Sequence, residues 1–343
     1  MADTPEDLPG PAPEGAARSI RFVGPRSVRL ETGEVPSPDD DEVVVESLAS
    51  LVSAGTELMI YRGEAPEDLP ADETIDALSG DLSFPLEYGY ALVGDVARVG
   101  RDVPAEWRGR RVFAFNPHES HFAASPDALV PIPDDVDAET AVFLPIVETA
   151  VNLVMDAAPR IGERAVVFGA GLVGLATVAS LAEFPLADLT VVEPIPVRRD
   201  LAMRLGADAA VAPAEAADVE EADLVVELSG SPEALDDAVD VAGYDARVVV
   251  GSWYGRKRAD LDLGGTFHRE RVSIVSSQVS TISPQLRGRW DAGRRMAVAW
   301  SRLRELPVAK LVTHRLPIEE AERAYEMLDG EPEEALGVLF EYR

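Results

Sequence analysis

Three glycines, Gly169, Gly171 and Gly174, carry the clearest chemical pattern in the chain. They follow the apolar run RAVVF and precede an apolar segment typical of a helix. In this context the GxGxxG spacing indicates a dinucleotide site: a tight turn, close approach of the backbone to a pyrophosphate, and close packing of helix on strand. Glu193 ends the next strand-like run, where a carboxylate accepts hydrogen bonds from ribose hydroxyls and repels a 2′-phosphate. The pattern predicts NAD, with NADP still possible.

Arg198 and Arg199 leave the choice of cofactor open, because they could pair with surface acids or bind a 2′-phosphate. Trp253 and Tyr254 follow another strand-like run and could stack on a planar substrate or only line a cleft. The predicted cofactor-binding residues are Gly169, Ala170, Gly171, Leu172, Val173, Gly174, Glu193, Arg198, Ser229, Gly251, Ser252 and Trp253.

Two histidines, His118 and His121, lie in the segment NPHESH and titrate near neutrality, so either could exchange a proton with solvent. With Glu57 and Glu148 they could also form a metal site, although the Asn-Pro pair favours a turn. The alternative for each histidine is a solvated or hydrogen-bonded loop residue. Glu148 either binds substrate or favours the N-terminus of a helix.

The elements that must position these residues fall into two groups. Up to about residue 140, short alternating runs separated by turn residues predict a mostly β domain. Beyond it, strands near 164–169, 189–193, 223–228, 246–251 and 272–277 alternate with helices, which predicts a doubly wound parallel sheet. A helix and a final strand near the C-terminus are expected to return to the first domain.

The composition excludes several classes of protein. The absence of cysteine rules out disulfides, a thiolate nucleophile and Cys-bound zinc. A net charge of -31, spread along the chain, disfavours binding to nucleic acid or anionic membranes and resembles the acidic surface of proteins from a high-salt cytoplasm. No signal peptide or membrane span is apparent, so a cytoplasmic location is expected.

From about Ile20 the chain resembles the medium-chain dehydrogenase/reductases, the superfamily of the zinc-type alcohol dehydrogenases. The likeness rests on SAGTELMIYRG, FPLEYGYALVGDVARVG, GRRVFAF, VVFGAGLVGL, VVELSGSPEALDDAV, ARVVVGSWYG and THRLPIEEAERAYEMLDG, in that order. Within the superfamily, YGYALVG and LGGTFHRERVSIVSSQVS most resemble the bacteriochlorophyllide dehydrogenase branch. The resemblance implies a GroES-like domain (19–148 and 296–343), a Rossmann domain (149–295), a small-molecule substrate and a homodimer or homotetramer. The acidic, proline-rich composition of residues 1–18 predicts a disordered tail.

The resemblance also implies that the usual zinc ligands are missing. Ala54 and Tyr90 occupy two ligand positions, Ala91 replaces the neighbouring glutamate, and Pro145 and Ile146 lie near the third ligand position. No zinc is therefore expected. Without it, hydride transfer needs another proton donor or acceptor.

The candidate catalytic residues are Tyr90, Thr56, His118, His121 and Glu148. The Tyr90 hydroxyl could stabilise an oxyanion, or the ring could only fill the vacated pocket. Thr56 matches the position that relays the substrate proton in the zinc enzymes. The resulting hypothesis is a zinc-independent oxidoreductase acting on a secondary alcohol or ketone, with a bulky planar molecule as a candidate substrate. The alternatives are an enone or quinone reductase and a non-catalytic NAD(H)-binding protein.

Overall fold

The N-terminal half of the protein is mostly β, as expected. The computed structural model describes residues 15–72, 74–75, 77–219 and 221–342. Its first elements are β1 (Ala17–Gly24), β2 (Ser27–Gly33), β3 (Val43–Leu51), α1 (Ala54–Tyr61), β4 (Leu86–Glu87), β5 (Leu92–Val99), β6 (Arg111–Ala114), β7 (His121–Ala124) and β8 (Leu129–Pro131). Strand β3 begins with three buried valines that pair with β5 and β7, and β-branched residues of this kind pack well on a pleated surface.

The following part alternates strands and helices. Its elements are α2 (Ala138–Ala141), α3 (Leu144–Ala157), β9 (Arg164–Phe168), α4 (Leu172–Leu181), β10 (Asp188–Val192), α5 (Pro196–Arg204), β11 (Ala209–Val211), β12 (Ala222–Glu227), α6 (Pro232–Asp240), β13 (Ala242–Val250), α7 (Thr266–Arg269) and β14 (Ser273–Ser276). The strands form one parallel sheet in the order β11-β10-β9-β12-β13-β14. Helices cover this sheet, which explains why β9 and β12 are almost continuously apolar.

The C-terminal part contributes to both regions. It contains α8 (Ala292–Glu305), β15 (Val312–Pro317), α9 (Ala321–Gly330) and β16 (Gly337–Glu341). Strand β16 pairs with β3 and with β15, so the last strand joins the β-rich sheet in the order β15-β16-β3-β5-β6-β8. The predicted return of the chain to its first domain is therefore observed. Helix α8 and strand β15 were not predicted.

Several expected boundaries differ from the structure. The helix expected from Thr149 begins at Leu144, one turn earlier, with a proline in its first turn. The expected domain limits at 148/149 and 295/296 thus fall inside the continuous helices α3 and α8, and the division into domains remains a prediction. Most of the expected tail lies outside the described residues, but Arg18 already belongs to β1 and donates to the Tyr342 carbonyl at 2.8 Å.

No helix among the described residues is both long enough and apolar enough to span a bilayer.

Candidate active site

The glycine-rich turn joins β9 to α4, and two of its glycines occupy positions where a side chain would not fit. Gly169 has φ +93°, and a Cβ there would lie 2.8 Å from the Leu228 carbonyl. A Cβ at Gly174 would lie 2.1 Å from the Gly169 oxygen, so helix and turn pack too closely for any side chain. A Cβ on Gly171 would have no heavy atom beyond the adjoining residues within 4 Å, so the space beside this residue is free. This open space, at a helix N-terminus with free N–H groups, suits an anionic group such as a pyrophosphate.

The strand order brings the other predicted cofactor residues to the same edge. Parallel strands β9, β10, β12 and β13 end at one edge. Strands β10 and β11 lie on one side of β9, and the chain then crosses to the other side to form β12, β13 and β14, so the strand order reverses at β9. Ligands of open α/β sheets bind at such a reversal. The edge carries Ala170, Leu172 and Val173 beside the glycines, Glu193 after β10, Ser229 after β12, and Gly251, Ser252 and Trp253 after β13.

Glu193 has a second role that the sequence did not reveal. Its buried carboxylate accepts hydrogen bonds from the backbone N–H groups of Ala170 at 2.7 Å and Ile195 at 3.0 Å. It therefore ties the glycine-rich turn to the end of β10. Each carboxylate oxygen retains a lone pair, so these contacts leave Glu193 able to accept from ribose hydroxyls.

The two arginines of α5 do not pair with surface acids as one interpretation expected. Arg198 donates to the carbonyls of Pro332 at 2.8 Å and Ala335 at 3.1 Å, and burial lowers its pKa. Arg199 donates to the carbonyl of Glu193 at 2.7 Å. Arg199 is thus bonded to the backbone of the acidic residue that follows β10, and the predicted binding of cofactor by Arg198 stays a prediction.

Glu227, at the end of β12, is a site residue that the sequence analysis missed. It is completely buried, and its carboxylate accepts from the Ser229 N–H at 2.7 Å, the Ser229 hydroxyl and the Tyr254 hydroxyl at 2.6 Å. Ser252 accepts from the Gly230 N–H at 2.9 Å, which ties the two loops together again. Glu193 was identified because it is an acidic residue at the end of an apolar strand. The same criterion would also have identified Glu227.

The loop after β13 spans the two halves of the protein. A Cβ at Gly255 would lie 2.8 Å from the Glu64 carbonyl and 3.3 Å from Met59 Sδ, and Arg256 donates its N–H to the Glu64 carbonyl at 3.2 Å. Met59 lies on α1 three residues after Thr56. The loop therefore links the cofactor edge to the helix that carries Thr56, with the 38% exposed Trp253 between them.

Tyr90 and Thr56, predicted from separate segments, lie together. The half-buried Tyr90 hydroxyl bonds to the Ser53 hydroxyl and lies 3.4 Å from Thr56 Oγ1. Burial raises the pKa of Tyr90, which keeps it a neutral phenol at physiological pH. Ser53, immediately before α1, was not predicted.

His118 is fully buried rather than a solvated loop residue. Its Nε2 lies 3.0 Å from Glu57 Oε2, and its Nδ1 lies 2.7 Å from the Ser50 hydroxyl. Glu57, also fully buried, further accepts from the Tyr325 hydroxyl at 2.6 Å and the Ser53 N–H at 2.7 Å. These partners come from distant parts of the sequence.

His121 and Glu148 have other partners. His121 starts β7, lies 3.0 Å from the Ser120 hydroxyl, and has a pKa lowered by burial. Glu148 accepts from Arg295 at 3.0 Å, so its charge is matched by a cation of α8; burial raises its pKa and Arg295 opposes that shift. The contacts of Glu148 therefore give it a role in fixing α8 on α3 rather than at a helix N-terminus.

The residues at the family's zinc positions do not fit zinc. The Tyr90 hydroxyl is bonded to two other hydroxyls, and Ala54 and Ile146 offer no donor atom. Of the alternative ligands, Glu57 and His118 lie together, but Glu148 and His121 are bonded to the other partners just described. In the described part of the chain, no group of three or more His, Cys, Asp or Glu side chains is arranged to hold a metal ion.

Comparison with known proteins agrees with this architecture. Residues 143–336, more than half of the chain, match the family described as glucose dehydrogenase C-terminus. The chain therefore belongs to that family, within the zinc-type alcohol dehydrogenase-like medium-chain dehydrogenases/reductases. A crystal structure of an alcohol dehydrogenase from E. coli CFT073, complexed with NADH, superposes with a TM-score of 0.77 at 20% identity, covering 96% of this chain and 100% of that one.

The curated relatives are similar to this chain at low sequence identity. The D-guloside 3-dehydrogenase of Escherichia coli is 26% identical over 94% of this chain and 100% of its own length. A probable D-xylulose reductase A of Aspergillus niger is 25% identical over 60% of this chain. The match spans only 58% of the length of that reductase.

Proposed function

We propose that the protein is a zinc-independent, NAD(P)-dependent oxidoreductase that transfers a hydride between the nicotinamide and a secondary alcohol or ketone. The observation that carries this proposal is the hydroxyl cluster of Tyr90, Ser53 and Thr56, at the position that the resemblance assigns to the metal of the zinc enzymes. The names of the relatives, a sugar dehydrogenase and a sugar reductase, support a hydroxyl or carbonyl substrate.

The chain's own residues would hold the cofactor at the carboxyl edge of the parallel sheet. Gly171 and the first N–H groups of α4 would bind the pyrophosphate, and Glu193 would accept from the ribose hydroxyls. Bound NAD(P) would supply the hydride donor or acceptor. Glu193 favours NAD because its fixed, buried carboxylate opposes a 2′-phosphate; tenfold weaker binding of NADPH than of NADH in a fluorescence titration is the expected result, and equal affinities would contradict it.

Tyr90 would donate to the substrate oxygen as negative charge develops there. A neutral phenol in a partly buried site donates strongly to an oxyanion and requires no rearrangement during the reaction. In ketone reduction the Tyr90 proton passes to the alkoxide, and Tyr90 takes a proton from the Thr56 hydroxyl, which in turn takes one from solvent. In alcohol oxidation the substrate hydroxyl gives its proton to Tyr90, while Tyr90 passes its own proton to Thr56 and Thr56 passes one to solvent.

The substrate class is proposed to include bulky planar molecules. The exposed ring of Trp253, on the loop between the cofactor edge and α1, offers a face for stacking. A Trp253→Ala variant should raise KM for aromatic ketones more than KM for small aliphatic ketones. Equal effects on both would indicate that Trp253 only lines the cleft.

The proposal is tested by steady-state kinetics of the wild type and of Tyr90→Phe on panels of ketones, secondary alcohols and enones. Loss of the hydroxyl should lower kcat on ketones by about 10²- to 10³-fold, because one oxyanion donor is removed. NADH affinity should not change. Turnover of enones alone would instead favour an enone reductase, and cofactor binding without any turnover would favour a non-catalytic role.

The protein is also proposed to form a homo-oligomer through β14. This strand ends the parallel sheet, and its apolar residues Ile274 and Val275 are 36% and 43% exposed. Exposed edge strands readily pair with another chain. Light scattering should give a dimer or tetramer for the wild type and a monomer for Val275→Pro; a monomeric wild type would contradict the proposal.

A further inference from the structure

We propose that Glu57 and His118 form a buried positioning pair that fixes the Tyr90 hydroxyl against Ser53 and Thr56. The inference rests on the proposed function of Tyr90. Neither residue is assigned contact with substrate or cofactor. Both act through the two segments that they join, the backbone at Gly89 and the first turn of α1.

The His118 ring fixes the segment that carries Tyr90. Gly89, immediately before Tyr90, has φ +128°, and a Cβ there would lie 2.7 Å from Cδ2 and 2.8 Å from Nε2 of His118. The ring thus lies directly against the Gly89 backbone, in space that only a glycine leaves free. Any movement of the ring changes the support of Tyr90.

Glu57 fixes the other side of the cluster. Its carboxylate accepts from His118 through Oε2 and from the Ser53 N–H through Oε1. The same Ser53 uses its hydroxyl to bond Tyr90, and Thr56 precedes Glu57 in the chain. One carboxylate therefore holds the imidazole to the turn that presents both hydroxyl partners of Tyr90.

The hydrogen-bond directions support positioning rather than proton transfer. If the Ser50 hydroxyl donates to His118 Nδ1, then His118 Nε2–H donates to Glu57, and Ser50 accepts from the Tyr342 hydroxyl at 2.7 Å. Every donor and acceptor in this arrangement has a partner. Ser53 meets Glu57 through its backbone amide, so these contacts give no side-chain proton path from Glu57 to Tyr90.

The test compares His118→Gln with the wild type in steady-state ketone reduction, with melting temperature and NADH affinity measured in parallel. A displaced Tyr90 should lower kcat by roughly 10- to 100-fold, since a shift of about 1 Å has that effect on catalysis, with KM and NADH affinity unchanged. His268→Gln makes the same change at an exposed site of α7 and serves as the control. An unchanged kcat for folded His118→Gln would overturn the inference.

A double-mutant cycle with Tyr90→Phe separates this inference from the proposed function. If His118 acts through Tyr90, adding His118→Gln to Tyr90→Phe should lower kcat little further. Fully additive effects would overturn the positioning role, whereas a fully active Tyr90→Phe would overturn the proposed function itself. If His118→Gln does not fold, Ser50→Ala leaves the imidazole in place and removes the hydroxyl that bonds both Nδ1 and Tyr342, and the same cycle with it decides the matter.

Discussion

Two fully buried glutamates, Glu57 in the β-rich half and Glu227 in the parallel-sheet half, are held in similar ways. Each accepts one tyrosine hydroxyl at 2.6 Å, from Tyr325 and Tyr254 respectively, and one backbone N–H at 2.7 Å. Their remaining partners differ: the His118 imidazole for Glu57 and the Ser229 hydroxyl for Glu227.

The difference lies in what each carboxylate joins. Glu57 joins helix α1, the His118 loop and helix α9, which are far apart in sequence. Glu227 joins two loops that follow neighbouring strands at the cofactor edge. Loss of Glu57 should therefore affect global stability and kcat, whereas loss of the Glu227 contacts should affect cofactor affinity most.

The largest expected effect is that of Glu57→Ala on stability. Truncation leaves three buried donors, on Ser53, His118 and Tyr325, without their acceptor. We expect the free energy of unfolding to fall by roughly 3–5 kcal/mol, measured by urea denaturation. Glu64→Ala, which truncates a glutamate on the surface loop after α1, is the matched control and should change it little. A loss below about 1 kcal/mol for Glu57→Ala would show that these contacts are weak.

Glu119 accepts from fewer donors than Glu57 and Glu227, and its carboxyl group should make the stability of the protein depend on pH. Its carboxylate accepts from Asn116 at 2.7 Å, and burial raises its pKa to about 7 from the usual 4.5. Between these values the folded protein binds more protons than the unfolded chain, so stability should fall as pH rises from 4.5 to 7. Glu119→Gln should remove roughly 3 kcal/mol of this fall in pH-dependent denaturation. An identical pH profile for the variant would contradict this.

A smaller effect is expected for Tyr254→Phe, which changes the contacts of Glu227. It removes a hydrogen bond to a buried charge, worth about 2 kcal/mol, and loosens the loop after β13. NADH affinity, measured by fluorescence titration, should fall about tenfold while kcat at saturating NADH changes little. A variant with lower kcat and normal affinity would reverse the roles assigned to the two glutamates.

The smallest expected effect is that of Ser252→Ala. The Gly230 N–H loses its side-chain acceptor but remains near solvent, so the cost should be about 1 kcal/mol. NADH affinity should fall a few-fold, less than for Tyr254→Phe. An effect larger than that of Tyr254→Phe would mean that Ser252 itself contacts the cofactor.

The same contrast explains what the sequence could predict. The glycine-rich turn, the parallel sheet and its boundaries to within a few residues follow from local patterns: apolar runs, glycine spacing and an acid at a strand end. The Glu57–His118–Tyr325 contacts could not be predicted, because no local pattern joins Glu57 to residues 61 and 268 positions away. Likewise, Glu193 shows its contact with Ala170 only when β9 and β10 are paired.

The environment of Tyr90 could be predicted in part. The resemblance to the zinc enzymes indicated its position, and the structure adds the hydroxyl of Ser53, which begins the segment SAGTELMIYRG but was not among the candidate residues. Glu148 was also identified as a candidate from its position in the sequence. Its environment, however, is determined by Arg295, which lies on a helix that was not predicted.

The central claim is that hydride transfer here depends on a hydroxyl rather than a metal. The most direct test is elemental mass spectrometry of tag-free protein, purified in high salt without chelator, on the same sample that is assayed for ketone reduction. The account predicts full activity without stoichiometric zinc. One zinc per chain, with activity lost on its removal and restored on its return, would contradict it.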